Sequence, residues 1–394
     1  MKDIYVVSAA RTAIGTFGGA FKEAKPGDLG GKVITAALER AGLSPETVGH
    51  VVMGNVVPCE PSDAYVSRIA AVEAGIPHEA PAMTVNRLCG SGLQAIVSAA
   101  QMIALGDCEI AVGGGCEVMS RAPYFMTGAR WGMKMGDGTV KDGMLGALHD
   151  PFHEYHMGMT AENVAEKYGI TREMQDELAA ESQRRAAHAI EQGWFKDEIV
   201  PVEVRQGRNV ATFDTDEHVK AGTSADKLSG LRTVFKKEGG TVTAGNASGI
   251  NDGASAVILA SEAAVKEHNL TPMMRLVAYG HAGVDPQYMG IGPVPATKIA
   301  LKRAGIDKDM LDVIESNEAF AAQACAVVNE MAFDNAKVNP NGSGISLGHP
   351  IGATGAILTT KLAYEMRRQK AKMGLTTMCI GGGQGIAAIW ENVS

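Results

Sequence analysis

The sequence predicts an α/β protein made of two similar halves, each a helix-covered sheet, separated by a long insertion of different character. Three observations carry this. The chain contains a faint copy of itself. Short apolar runs alternate with helical stretches of ten or more residues, the pattern of sheets covered by helices. Glycine is over-used and clustered: 48 of 394 residues, about 12% against the usual ~7%.

The copy is ordered. Ala37-Leu38-Glu39-Arg40-Ala41-Gly42-Leu43 reappears as Ala300-Leu301-Lys302-Arg303-Ala304-Gly305-Ile306, each the end of an amphipathic helix stopped by glycine. An apolar strand follows both, His50 to Met53 in one and Val313 to Ser316 in the other. Val85-Asn86 is echoed by Val338-Asn339, both leading into Gly-Ser-Gly. Glu109-Ile110-Ala111-Val112-Gly113-Gly114-Gly115 is echoed by Thr377-Met378-Cys379-Ile380-Gly381-Gly382-Gly383. Four landmarks in the same order predict a first half over 1–120, completed by 250–271, and a second over 272–394.

Element by element, Ile4–Val7, Val51–Met53, Ile110–Val112, Val313–Ile314 and Thr376–Ile380 read as short buried strands. Each Gly-Gly-Gly lies between two such runs, which predicts an antiparallel hairpin closing each half. The insertion, 121–249, holds Trp131 and Trp194 and most of a methionine series: Met119, Met126, Met133, Met135, Met144, Met157 and Met159. These methionines either fill irregular gaps or offer an adaptable binding surface. One helix runs from an N-cap at Thr171 to a stop at Gly193, with Met174, Leu178, Ala186 and Ile190 near one face.

Composition bounds the function. Lys plus Arg is 36 against 44 Asp plus Glu, a net charge of −8, which argues against nucleic-acid or membrane-surface binding by bulk electrostatics. No run approaches 18 consecutive apolar residues, so no membrane span is expected. Met1 to Val7 reads as the first strand of the fold and not as a signal peptide. Six cysteines without a C-x-x-C pair suggest free thiols and none of the common zinc patterns. A cytoplasmic protein is expected.

Three segments hold chemistry. In Val85-Asn86-Arg87-Leu88-Cys89-Gly90-Ser91-Gly92-Leu93, Cys89 sits at a strand-to-helix turn, where the helix dipole and free N–H groups lower a thiol pKa. A buried structural cysteine is the plain alternative, and the flanking glycines favour function. A rival reading exists: Gly90-Ser91-Gly92-Leu93-Gln94-Ala95 fits the dinucleotide fingerprint, with Asp107 and Glu109 beyond it, although the first βα turn of the chain lacks that motif. His349 is held between Gly348 and Pro350 in a glycine-rich loop just before a helix. Cys379 ends an apolar strand facing the Gly381-Gly382-Gly383 turn, and Glu315-Ser316-Asn317-Glu318-Ala319-Phe320 puts polar residues at a strand end, where open α/β sheets place sites.

With these motifs in order, the whole chain resembles the thiolase family, and within it the short-chain β-ketothiolases (acetyl-CoA acetyltransferases). The motifs are the Cys89 segment, Asn317-Glu318-Ala319-Phe320, Gly348-His349-Pro350 and Cys379-Ile380-Gly381. The resemblance implies duplicated α/β halves in a layered α-β-α-β-α arrangement of two sheets, with an inserted loop domain. It implies a reversible Claisen condensation of two acyl-CoA to β-ketoacyl-CoA plus CoA. Cys89 would accept the acyl group, His349 would take its proton, and Cys379 would remove the α-proton of the second acyl-CoA. The enolate oxygen would be met by His349 and a water held by Asn317, and the acyl oxygen by the N–H groups of Cys89 and Gly381. Glu318 would orient neighbours. Cys379 as the base separates this reading from decarboxylating ketosynthases, which pair their cysteine with histidine or asparagine.

By the same resemblance, Ser248 would hydrogen-bond pantetheine, while Leu148, His156 and Met157 would line its tunnel. Lys220 falls where related enzymes often carry arginine near the nucleotide. An acidic protein must then hold polyanionic CoA by a local basic patch. No cofactor beyond the CoA substrates and no metal is implied. His149, His153 and His156 have metal-like spacing, but Pro151 interrupts it. Cys59, Cys108, Cys116 and Cys325 read as structural thiols, and Asn251 and Asp252 as structural residues. A homo-oligomer, dimer or tetramer, is implied, and chain length, pocketed by the Phe152–Met157 segment, stays open to a broader 3-ketoacyl-CoA range.

Overall fold

In the computed structural model, which describes residues 3–394, the sequence repeat becomes a repeat of topology. The first half holds strands β1 (Ile4–Thr12), β2 (His50–Gly54), β3 (Ala82–Val85), β4 (Ile110–Val118) and β5 (Asn251–Ser261), in the order β1-β5-β4-β2-β3. The second holds β6 (Met274–Gly283), β7 (Val313–Ser316), β8 (Met373–Ile380) and β9 (Gln384–Asn392), in the order β6-β9-β8-β7. A parallel bridge from Ile314 to Val338 stands where the first half has β3. In both, the first two pairings are antiparallel and the rest parallel. Even the irregularity is copied: β1 shifts register between Val6 and Ser8, and β6 between Leu276 and Ala278.

The two sheets touch edge to edge. β1 and β6 pair antiparallel at Tyr5–Arg275 and Val6–Met274, joining all these strands in one path. The bulges beyond that contact turn each strand away from the other.

The halves close differently, against expectation. Gly381 to Gly383 does make the tight turn between β8 and β9, with Gly382 and Gly383 at φ 77° and 82°. Gly113 to Gly115 makes no turn: it lies inside β4, whose antiparallel partner β5 comes only after the insertion. These glycines serve close packing instead; a Cβ on Gly113 would stand 2.6 Å from the Ile96 backbone.

Both sheets are covered by helices on both faces, apart from the edge strand β3, where Met83 and Thr84 are exposed. The helices α1 (Pro26–Ala41) and α2 (Val66–Glu73) cover one outer face, α3 (Ser91–Leu105) starts just past Cys89, α4 (Met157–Tyr168) and α5 (Arg172–Glu191) belong to the insertion, α6 (Pro293–Ala304) and α7 (Ala321–Met331) cover the other outer face, and α8 (Thr354–Gln369) follows His349. Alternation along the strands sorts the layers. Val6, Val257, Leu259, Met378 and Ile380 face the middle layer of α3 and α8. Val7, Ala256 and Ile258 face α1, whereas Leu375 and Cys379 face the far side. Among the described residues one helical window, Leu88–Leu105, is apolar enough to cross a membrane, with mean hydropathy 1.5. It is the middle-layer helix, and its apolarity is used against β4, β2 and α8.

The insertion is tied to the first strand by a buried ion network. Arg11, with no exposure, donates to Glu198 at 2.7 Å and to Asp216 at 2.8 and 3.0 Å, and lies 5.0 Å from the centre of the Phe195 ring. The predicted N-cap at Thr171 holds α5, its hydroxyl accepting from Met174 N. The predicted apolar face does not: Gln175, Asp176, Ala179, Ser182, Gln183, Ala186 and Ala189 are buried, while Met174, Leu178 and Ile190 are half-buried. Asp176 is bonded to Arg172 one turn earlier and to Asn246, and Ser182 to Glu318 of the second half, so burial at these positions follows hydrogen bonding.

In the middle layer the first turns of α3 and α8 meet without side chains between them. A Cβ on Gly92 would lie 2.7 Å from Ala356 N, one on Gly355 2.3 Å from Leu93 N, and one on Gly115 2.2 Å from Gly352 O. Each neighbour is backbone and cannot step aside. Gly355→Ala is therefore expected to lower stability by about 2–3 kcal/mol. Gly146→Ala, with no atom within 4 Å of the added carbon, should change it by less than about 1 kcal/mol. Urea unfolding of both variants decides the matter, and equal effects would refute the seam.

Candidate active site

Cys89 sits in a turn made tight by its neighbours. The chain leaves β3 at Val85, and the Asn86 side chain accepts from Leu88 N at 2.9 Å. Leu88 adopts φ 46°, a left-handed conformation that a leucine holds only when its surroundings impose it. Ser91 imposes it, its hydroxyl accepting from Arg87 N at 2.8 Å and donating to Leu88 O at 2.7 Å. Gly90 has no room for a side chain, since a Cβ would meet Ile380 of β8 at 2.5 Å. The turn is thus pressed against the strand that carries Cys379.

That packing removes the dinucleotide reading. Gly90 and Gly92 are small because β8 and α8 lie against them, which leaves no space for a pyrophosphate at the start of α3. Glu109, one of its acidic candidates, accepts instead from the Ser261 hydroxyl.

His349 comes from the other half. Gly348 adopts φ 109°, and any Cβ there would overlap the Asn251 amide. That amide accepts from His349 N at 3.0 Å and donates to Gly15 O at 3.0 Å, so Asn251 orients the histidine loop. The Thr354 hydroxyl donates its single proton to Pro350 O at 2.8 Å and stands 2.7 Å from His349 Nδ1. It can only accept there, which puts the ring proton on Nδ1 and leaves Nε2 with a free lone pair. Asn317 Nδ2 lies 3.4 Å from that Nε2.

Asn317 follows β7, its backbone N–H bonded to Thr377 O at 3.0 Å, and its buried Oδ1 has no protein partner. Behind it Glu318 accepts from the Ser182 hydroxyl at 2.6 Å and Asn339 at 2.8 Å. Cys379, wholly buried one residue before the end of β8, is close enough to Cys89 for Cys89 to oppose its ionisation. Gly381 N–H points at the Cys89 sulphur, as does the N–H of Cys89 itself.

The expected fall in the Cys89 pKa is overturned. Burial raises it, and the N–H groups of Gly381 and Cys89 only partly pull it back. Desolvation of a thiolate outweighs the helix start. Burial pushes Cys379 higher still, with Cys89 adding to it. Burial also lowers His349 to about 4. At neutral pH the site holds two thiols and one neutral imidazole.

The remaining predicted residues fall into two groups. His156 caps α4, its Nδ1 accepting from Gly158 N at 3.0 Å, and its ring stacks on Phe235 at 4.7 Å. The Met157 sulphur is 3.5 Å from where a Gly381 Cβ would stand, and Met157 N donates to Leu148 O at 2.8 Å. Leu148 joins Cys89 and Leu88 against Val56, Val57, Met119, Met144 and Ile351. Farther out, Ser248 N donates to Ala319 O at 3.0 Å. The preceding Ala247 lines a cleft of about 370 Å³ with His218, Lys220 and Lys227. Lys220 is exposed, its backbone held by Gln183 at 2.7 Å. A separate cavity of about 730 Å³ between Arg40, Trp194 and Tyr364 includes none of these residues.

Sequence reasoning missed Thr354, Phe235 and Glu117 and underrated Asn251. Thr354 stands five residues after His349 and the others are distant in sequence. Among the described residues no cluster of three or more histidine, cysteine or acidic groups is arranged for a metal. His149 instead faces His156 edge-on at 5.6 Å, and His153 stacks on Tyr155. All six cysteines are free.

The histidines set an acid limit on stability. Burial lowers His349, His156, His218 and His281 alike to about 4, against an ordinary value of 6.5 in the unfolded chain. Below 6.5 the unfolded chain binds protons that the folded one refuses, so their contribution is whole above 6.5 and lost as pH falls toward 4. For fully buried His349 it is on the order of 3 kcal/mol. The melting temperature should fall across this window, and His349→Gln should flatten the fall; an unchanged slope would count against it.

Comparison with known proteins agrees with this geometry. Residues 4–263 match the thiolase N-terminal domain and residues 270–392 the thiolase C-terminal domain. The chain is 62% identical to the β-ketothiolase BktB of Cupriavidus necator, covering 100% of both chains, and 49% identical to the acetyl-CoA acetyltransferase of Escherichia coli, again over 100% of both. It superposes on the crystal structure of the Bacillus anthracis acetyl-CoA acetyltransferase with TM-score 0.97 at 45% identity, covering 100% of this chain and 99% of that one. Against human mitochondrial 3-ketoacyl-CoA thiolase in complex with CoA the TM-score is 0.96 at 46% identity, with 100% and 98% covered. With both domains matched and the two cysteines and the histidine loop drawn together from its two halves, the chain belongs to the thiolase family.

Proposed function

We propose that this thiolase condenses two acyl-CoA molecules, acetyl-CoA foremost, to β-ketoacyl-CoA plus CoA, and runs the reverse, through an acyl group carried on Cys89. The observation that carries the reading is the convergence of two neutral thiols with an imidazole whose Nε2 lone pair is kept free. A thiol held above its ordinary pKa needs a base in step with attack, and His349 Nε2 is held ready as one. The Cys89 proton passes to Nε2, the sulphur attacks the thioester carbon, and the CoA thiolate leaves with the Cys379 proton, so that Cys379 is left as the thiolate. Charge on the acyl oxygen would be met by the N–H groups of Gly381 and Cys89.

In the second step Cys379, as thiolate, removes the α-proton of a new acyl-CoA. Its burial makes that thiolate a strong base. The resulting enolate oxygen is met by His349 and by a water on Asn317; the carbanion attacks the acyl group and Cys89 leaves. Ser248, Leu148, His156 and Met157 would hold pantetheine and the acyl chain. Lys220 with Lys227 supplies the basic patch for the nucleotide phosphates. The CoA thioesters are substrates, and no step calls for a separate cofactor.

Relatives named both acetyl-CoA acetyltransferase and β-ketothiolase leave acyl length to the pocket around Met157 and Phe235, where one methylene is worth only ~1–3 kcal/mol. We assign a cytoplasmic homo-oligomer, a dimer of dimers. Its support is the exposed apolar run Tyr124, Phe125, Met126, Trp131, Met133 and Met135, an extent of surface that favours burial against another copy.

Three variants test the chemistry. After brief exposure to acetoacetyl-CoA, intact-protein mass should show one acetyl group on the native chain and none on Cys89→Ala; an adduct on the variant would refute Cys89. Given acetyl-CoA, whose leaving group is a thiolate and not a carbanion, Cys379→Ala should still acylate, while turnover falls about 10²–10⁴-fold. Thr354→Val frees the imidazole to take the wrong tautomer, and kcat should drop about tenfold or more with KM for CoA held; unchanged kcat would mean that Thr354 does not set the ring.

A further inference from the structure

Glu117 is absent from every role above, and its setting is unusual. It lies one residue before the end of β4 and is wholly buried. One oxygen accepts from Asn55 Nδ2 at 3.0 Å and Val57 N at 3.1 Å, the other from Val56 N at 2.9 Å and Gly352 N at 2.8 Å. Among the described residues it has no ion-pair partner. Four donors and no acceptor suit a carboxylate, and neither an amide nor a neutral acid can satisfy them all. Burial raises its pKa to about 8 even with the N–H groups of Val57, Val56 and Gly352 pulling it down, and it is the four donors that favour the carboxylate form. A buried charge without a cation is costly to keep.

The donors come from both halves. Asn55, Val56 and Val57 leave β2 beside the Cys89 turn, and their apolar side chains pack with Leu88, Cys89 and Ile351. Gly352 closes the loop that begins at His349. Its lack of a side chain is what admits the carboxylate, because a Cβ there would lie 2.4 Å from the Glu117 oxygen. The charge also acts on Cys89, opposing its ionisation. We propose that Glu117 is a positioning residue of the thiolase reaction: by accepting N–H groups from both halves on one carboxylate, it sets the His349 loop against the Cys89 turn. The inference rests on the thiolase reading.

The test is Glu117→Gln in the full-length enzyme, which keeps shape but turns one accepting edge into a donor aimed at donors. Thiolysis of acetoacetyl-CoA should lose about 100-fold in kcat, as a misplaced catalytic pair does, while KM for CoA stays within about threefold. Rates are scaled to the folded fraction by circular dichroism. Glu117→Asp, which keeps the charge, should recover part of the loss. A folded Glu117→Gln with kcat within threefold of native, or with kcat and KM shifted together, overturns the positioning role. Should that variant not fold, Gly352→Ala pushes the loop off the carboxylate from the other side; the same loss in kcat alone is expected, and native kcat overturns the proposal. A native enzyme that forms no acetyl adduct would overturn the thiolase reading itself, and this inference with it.

Discussion

Everything in this protein depends on how closely two helix starts can approach. α3 follows Cys89 and α8 follows His349, and they come from halves far apart in sequence. Backbone meets backbone between them because Gly92, Gly115 and Gly355 carry no side chain at the contact. That seam places the nucleophile turn and the histidine loop in one site, and with Gly90 it lays the turn on the strand bearing Cys379. A methyl group at Gly92, Gly115 or Gly355 would meet backbone and have to separate the layers, and the chemistry with them.

The second constraint is electrostatic. The site is dry enough that burial decides each protonation state: thiols stay protonated and imidazole stays neutral. Charge in the resting site is therefore left to be created by the substrate reaction, where fixed N–H groups can meet it. The buried carboxyl groups nearby are held by many donors. Glu117 takes four N–H groups, and Asp216 in the Arg11 network takes the guanidinium and Ile14 N. Both tie pieces of chain that are distant in sequence to the ends of the central strands.

The duplication explains why the site has two cysteines in unlike roles. Equivalent strands carry equivalent pairings and even equivalent bulges, yet the halves use different connections for chemistry. In the second half a three-glycine turn joins β8 to β9 and offers the Gly381 N–H. In the first, the corresponding gap between β4 and β5 is filled by the insertion that supplies Leu148, His156, Met157, Lys220 and Ser248. One half closes on a short turn and the other on a long insertion.

Much was legible from the chain alone. Periodicity, glycine stops and repeated landmarks are local signals, and they marked the strands, the N-cap at Thr171 and the three reactive residues. Local signals misled where packing overrode them: at Gly113 to Gly115, read as a turn but used as a flat strand under Ile96, at the α5 face, where hydrogen-bonded polar groups are buried ahead of Met174 and Leu178, and at Cys89, whose thiol is raised by burial despite its helix start. Asn251, Phe235 and Glu117 were out of reach because their partners lie across the fold, whereas Thr354 is close to His349 in sequence but nothing in the spacing shows that the loop folds its hydroxyl onto the ring. The sequence by itself determined which residue types are available for chemistry and in what order the elements come, since those depend on residue type and spacing. Only the tertiary structure decided the tautomer of His349, the ionisation of the thiols and the residues that hold the two halves in register, because each of these depends on desolvation and on donors contributed by distant segments.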